Sequence, residues 1–133
     1  MDTGATQALP HDYDVLAPDG SEVRVLLARR GGSMAHFRLP PGQVSRAVRH
    51  RTVEEIWYIL SGTGEMWRGA GCDQSFATLS AGVCLAIPVG VAFQFRASDD
   101  APLEAVGITM PPWPGPDEAE PAEGPWKETC VGP

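Results

Sequence analysis

Proton transfer needs an imidazole or a carboxyl in reach of its partner, and the chain offers one tight candidate, His50 and Glu55. They lie in PPGQVSRAVRHRTVEEIWYILSGTGEMW, residues 40–67. A strand ending at His50, a turn over 51–54 and a strand starting at Glu55 would form a hairpin with the two side chains adjacent. Alternation then puts Arg46, Val48 and His50 on one face and Glu55, Trp57 and Ile59 on one face of the next strand. If the shared face is the interior, imidazole and carboxyl meet in a pocket walled by Trp57. Two readings follow: a proton-sharing acid–base pair whose carboxyl is desolvated by Trp57 and Phe93, or a buried pair that is purely structural.

The elements that must position this pair read as strands. Runs of about five to eight residues (VRVLLA, MAHFRL, EIWYIL, CLAIP, AFQFR, LEAVGITM) are closed by Gly or Pro. Gly31-Gly32, Pro40-Pro41-Gly42, Gly62-Thr63-Gly64 and Pro88-Val89-Gly90 supply the turns, with Gly62-Thr63-Gly64 read as a hairpin turn. No stretch holds a helical period, so eight or nine short strands in a single all-β sandwich or small barrel are predicted. The body is placed at 20–110, between an N-terminal arm (1–19) and an acidic, Pro-rich tail (111–133) that holds seven of the 13 prolines. Proline at that density prevents regular structure over most of the tail, but Trp113 and Trp126 give it apolar anchors for docking on the body or a neighbouring subunit.

These spacings resemble the cupin superfamily of small β-barrels. His50, four residues, Glu55, six residues and Gly62 match the second half of the first cupin motif; Gly82, five residues and Pro88-Val89-Gly90 match the second motif. The resemblance implies a single-domain cupin barrel (a double-stranded β-helix, jelly-roll-like) with a small-molecule ligand inside. Val48, Phe93 and Ala97 stand where a metal-binding cupin has its first His, its second-motif His and its Asn, so the metal motif is degenerate. A metal-independent isomerase, epimerase or cyclase is expected, with His50 as acid/base, Glu55 as its partner and no cofactor. A non-catalytic ligand-binding or sensory module is the alternative. A metal-dependent isomerase or oxygenase is the second alternative, with Fe, Ni, Mn or Zn held by His50, Glu55 and His36.

Around the pair, Val48, Trp57, Phe93 and Phe95 are expected to line the pocket, and Arg46 or Arg38 to meet an anionic group on a partly apolar, carbohydrate- or polyketide-like ligand. The net charge of −7 argues against nucleic acid or an anionic membrane as partner. It is unevenly spread: Arg24, Arg29, Arg30, Arg38, Arg46, Arg49 and Arg51 fall between Glu22 and Glu54 with no acid among them, and the acidic tail is their natural counterpart. No run reaches the roughly 18 apolar residues of a membrane span, and the first residues lack signal-peptide blocks. Cys72, Cys84 and Cys130 share no CxxC spacing and read as reduced. A cytoplasmic protein is expected. Apolar residues on both faces of 55–60 further predict a homodimer.

Overall fold

A computed structural model describes residues 1–130. Eleven strands form two antiparallel sheets among them, two more than the larger expected number, because strands of two and three residues form outside the expected body. They are β1 (Val15–Leu16), β2 (Glu22–Arg29), β3 (Gly32–Leu39), β4 (Val48–His50), β5 (Glu54–Ser61), β6 (Gly64–Ala70), β7 (Asp73–Leu79), β8 (Cys84–Ile87), β9 (Ala92–Ala97), β10 (Leu103–Met110) and β11 (Ala119–Pro121). One sheet runs β1-β2-β3-β10-β5-β8 and the other β11-β4-β9-β6-β7. This is an all-β, double-stranded β-helix barrel.

Alternation puts one face of each sheet into the barrel. On β5, Glu55, Trp57 and Ile59 are buried while Glu54, Ile56, Tyr58 and Leu60 are exposed. Trp57, Ile59, Met66, Leu79, Ile87, Phe93 and Phe95 form the centre of the core with Leu39 and Leu103.

The segments around His50 and Glu55 are not hairpins. β4 pairs with β9 and β11, whereas β5 pairs with β10 and β8, so residues 51–53 cross from one sheet to the other. Gly62-Thr63-Gly64 is likewise a crossover, from β5 to β6. Gly62 adopts φ +80, and a Cβ there would lie 2.1 Å from the Pro102 carbonyl oxygen, so glycine is required. The short connections that do turn a chain back on its neighbour are β1–β2, β2–β3 and β6–β7.

Neither end behaves as an appendage. From the expected 1–19 arm, β1 pairs with β2, and Ala17 and Asp19 are buried. The tail is strapped to the barrel over its described length, with 131–133 lying outside the described residues. β11 adds to β4, and Gln94, 1% exposed, both donates to the Trp126 carbonyl (2.8 Å) and accepts from its amide (3.1 Å). The Arg96 guanidinium stacks over the Trp126 ring at 4.2 Å. Thr129 and Cys130 close on the Val44 carbonyl. The prolines thus interrupt regular structure without preventing packing.

No helix among the described residues is long and apolar enough to cross a membrane.

Candidate functional site

A cavity of about 330 Å³ opens between the sheets, bounded by β1, β2, β3, β5 and β10 on one side and by β4, β9 and the strap on the other. The last residue of β4, His50, and the second of β5, Glu55, enter it from opposite sheets. The two residues are 5% and 3% exposed, and His50 Nδ1 lies 3.7 Å from Glu55 Oε1. That separation is beyond a hydrogen bond.

Aromatic rings build the walls. Phe37 stacks on Trp57 with centroids 5.0 Å apart and planes 15° apart, and Phe93 meets Trp57 and His50 edge-on. From the strap, Trp113 packs edge-on against His50 at 5.2 Å. Phe95 sits edge-on to Trp57 at 5.0 Å and buttresses it from the core without lining the cavity. Gly107 of β10 makes room for the arrangement: a Cβ there would come within 2.7 Å of Phe37, 2.8 Å of Glu55 Oε2 and 3.1 Å of Trp57.

The polar groups inside are few and poorly satisfied. His50 Nδ1 and Trp57 Nε1 are buried without hydrogen-bond partners. Burial in this apolar setting pushes the Glu55 carboxyl up to about 8. The Trp57 indole N–H, near enough to favour the ionised form although outside hydrogen-bond geometry, opposes that rise, and the Asp19 carboxyl reinforces it. Burial also pushes the His50 imidazole below its usual value, and the charge of Glu118 pulls it partly back. Near neutral pH the site therefore holds a protonated carboxyl beside an uncharged imidazole. One can donate a proton and the other accept one.

Asp19 also lines the cavity. Its Oδ1 accepts from the Ser21 amide at 2.9 Å and hydroxyl at 2.6 Å, and burial raises its pKa despite those bonds and the charge of Arg46.

The structure separates the expected residues into those that meet and those that do not. His50, Glu55, Val48, Trp57 and Phe93 line one cavity. Arg46 does not: it precedes β4, and its guanidinium bonds Glu128 and the Pro18 carbonyl. Arg38 is on the outer face of β3 and pairs with Glu22. No arginine or lysine lines the cavity, so the expected anion contact has no carrier there. His36, also on the outer face of β3, pairs with Glu104 at 3.1 Å rather than with His50 and Glu55. Burial lowers its pKa, against the pull of Glu104.

The donor set does not fit a metal. With His36 directed away and apolar Val48 and Phe93 flanking the imidazole, only His50 and Glu55 of the expected donors meet, and the Asp19 carboxyl is taken up by Ser21. No three His, Cys, Asp or Glu converge among the described residues.

Sequence reasoning missed Phe37, Asp19, Gly107 and Trp113. The inward parity of Phe37 was readable once β3 was set in register, whereas Trp113 reaches the site only because the strap folds back.

Comparison with known proteins bears on the fold. The Cupin domain model matches residues 35–109. Among solved structures, an uncharacterized conserved protein with a double-stranded beta-helix domain from Klebsiella pneumoniae is 21% identical, covering 78% of this chain and 85% of its own, with a TM-score of 0.64. KdgF from Halomonas is 17% identical over 76% of this chain and 88% of its own, also at 0.64. Streptomyces PAC13, as a His-to-Gln variant with uridine, is 10% identical over 90% of this chain and 92% of its own, at 0.68. No curated protein matches. With its motif spacing, its two-sheet barrel and a family match spanning more than half its length, the chain belongs to the cupin family.

Proposed function

We propose that the protein binds a small, largely apolar and uncharged organic molecule in the barrel and acts on it by metal-independent acid–base chemistry of the isomerase, epimerase or cyclase type. One observation carries this reading: Glu55 and His50 are buried 3.7 Å apart without bonding each other. A purely structural pair would be hydrogen bonded, because a buried polar group left unsatisfied costs about 1–3 kcal/mol. Here His50 Nδ1 and Trp57 Nε1 both lack partners. A ligand carbonyl oxygen there would accept from the Glu55 carboxyl and the Trp57 indole, leaving the unpartnered His50 nitrogen to take a proton from the adjacent carbon.

In that arrangement the neutral His50 removes a proton from carbon next to a carbonyl while Glu55 gives its own proton to the carbonyl oxygen. Returning a proton to a different carbon or a different face leaves an isomer, and both groups are restored. The aromatic walls exclude water and hold the apolar body. Since no cationic side chain lines the cavity, the reading favours uncharged ligands over the anionic ones expected from the sequence. PAC13, a structural neighbour, is described as a nucleoside dehydratase, and at 11% identity that likeness bears on fold alone. A cytoplasmic setting belongs to the same proposal, with all three cysteines free.

The test is a thermal-shift screen of uncharged cyclic ketones and lactones against their carboxylate analogues, followed by turnover assays on any that bind. Uncharged compounds should stabilise the protein and be converted, with conversion lost in His50→Gln and Glu55→Gln. Binding that persists in both variants with no conversion by wild type would favour a non-catalytic binding module. Stoichiometric iron, nickel, manganese or zinc in untagged protein, lost in His50→Ala, would overturn the metal-free reading.

A further inference from the structure

His50 and Glu55 belong to different sheets, so their meeting depends on the three-residue crossover 51–53 between them. That crossover is held by one side chain from the strap. Glu118, 5% exposed at the end of a 3-10 turn (Pro116–Glu118), accepts the Thr52 amide on Oε2 at 2.6 Å, the Val53 amide on the same oxygen at 2.8 Å and the Thr52 hydroxyl on Oε1 at 2.6 Å. Its backbone carbonyl takes the Arg51 amide at 2.9 Å, and the next residue, Ala119, is paired with His50. Every amide of the crossover thus ends on Glu118.

We propose that Glu118 is a positioning residue for the His50–Glu55 pair, its carboxylate clamping the crossover that sets their separation. The inference rests on the acid–base reading of that pair. Charge-assisted bonds of this kind are stronger than neutral ones, and three on one carboxylate fix both its place and its ionisation. Burial works against the ionised form, but the Thr52 hydroxyl and the two amides outweigh it and hold the carboxyl below its ordinary value. The clamp also puts a negative charge near His50, whose other packed neighbours are the Glu55 carboxyl on β5 and the uncharged rings of Phe93 on β9 and Trp113. Glu118 is 65 and 66 residues from its partners, so the strap makes the site sensitive to the C-terminal segment.

The experiment needs no ligand. In Glu118→Gln the uncharged side-chain oxygen would hold the two amides only by weaker, neutral bonds, so hydrogen exchange at Thr52 and Val53 should accelerate by about tenfold or more. The His50 ring, followed by NMR, should titrate at lower pH than in wild type, a change that loss of packing alone would not impose in that direction. Thr52→Val, which keeps the carboxylate and drops one bond, should speed exchange less and move the His50 titration less. It carries the test if Glu118→Gln does not fold. Unchanged exchange and an unchanged His50 titration in the folded variants would overturn the positioning role. If instead Glu55 of wild type titrates as an ordinary carboxyl, the acid–base reading falls, whatever these variants do.

Discussion

Glu55 ties the chemistry of the site to its stability. In the unfolded chain it loses its proton near 4.5 and in the folded protein near 8, so between those values the folded state holds the extra proton. Stability must therefore fall as pH rises through that window and level off above it, by about 1.4 kcal/mol for each unit of separation. Glu55→Gln should remove this dependence, raising the melting temperature relative to wild type at pH 8–9 with little difference near pH 4. His50 acts at the other end: its lowered pKa means that acidification through its ordinary 6.5 favours the unfolded chain. Gly107→Ala should cost about 1–3 kcal/mol in denaturant unfolding, since the added methyl meets Glu55, Phe37 and Trp57 at once. Much at this scale was legible. Strand alternation put Val48 on the face of His50 and Trp57 on the face of Glu55, because a period of two fixes the face once one residue is assigned, and the motif match added Phe93. Arg46 and Arg38 were misplaced because parity does not show where a strand begins or which face is interior: Arg46 lies before β4, and Arg38 shares the outer face of β3 with His36.

Among the elements, the connections were hardest to read. A short Gly- or Thr-containing link looks the same in sequence whether it turns a hairpin or crosses between sheets, and both 51–53 and 62–63 do the latter. The strap docks on the body, one of the two outcomes expected from Trp113 and Trp126, but the polar bonds that hold it were not legible. Proline density predicts the lack of long strands correctly, but the packing of 111–130 comes from side chains such as Gln94, Glu118 and Trp126, whose partners lie 32 to 66 residues away. Removing residues 114–133 should therefore destabilise the barrel strongly, as a large loss of melting temperature in circular dichroism. The loss should depend little on salt. Arg46–Glu128 and Arg51–Glu120 realise the expected attraction between the arginine-rich stretch and the tail, but both are partly exposed and each contributes at most about 1 kcal/mol. A loss that disappears at high salt would mean that charge, rather than the buried bonds of Gln94 and Glu118, holds the strap.

For the whole molecule, the net charge of −7 hides its own partition. Arg24 and Arg29 reach onto the arm, to the carbonyls of Pro10 and His11 and to Asp2, and Arg46 and Arg51 onto the strap, leaving a cavity whose ionisable groups are acids and one imidazole. The outer face of the six-stranded sheet is apolar in places, with Met34, Ile108 and Ile56 in register across β3, β10 and β5 and all exposed, beside Tyr58 and Leu60. A second copy set on this face would give the homodimer expected from the sequence; sedimentation should then show a dimer that Ile56→Glu converts to a folded monomer, whereas a monomeric wild type would remove that proposal. Inside the barrel, a neutral carboxyl waits beside an uncharged imidazole at physiological pH. Titration of the Glu55 side-chain carboxyl carbon by NMR tests it directly. A midpoint near 8 is expected. A midpoint near 4.5, with Glu55 ionised at neutral pH, would contradict it.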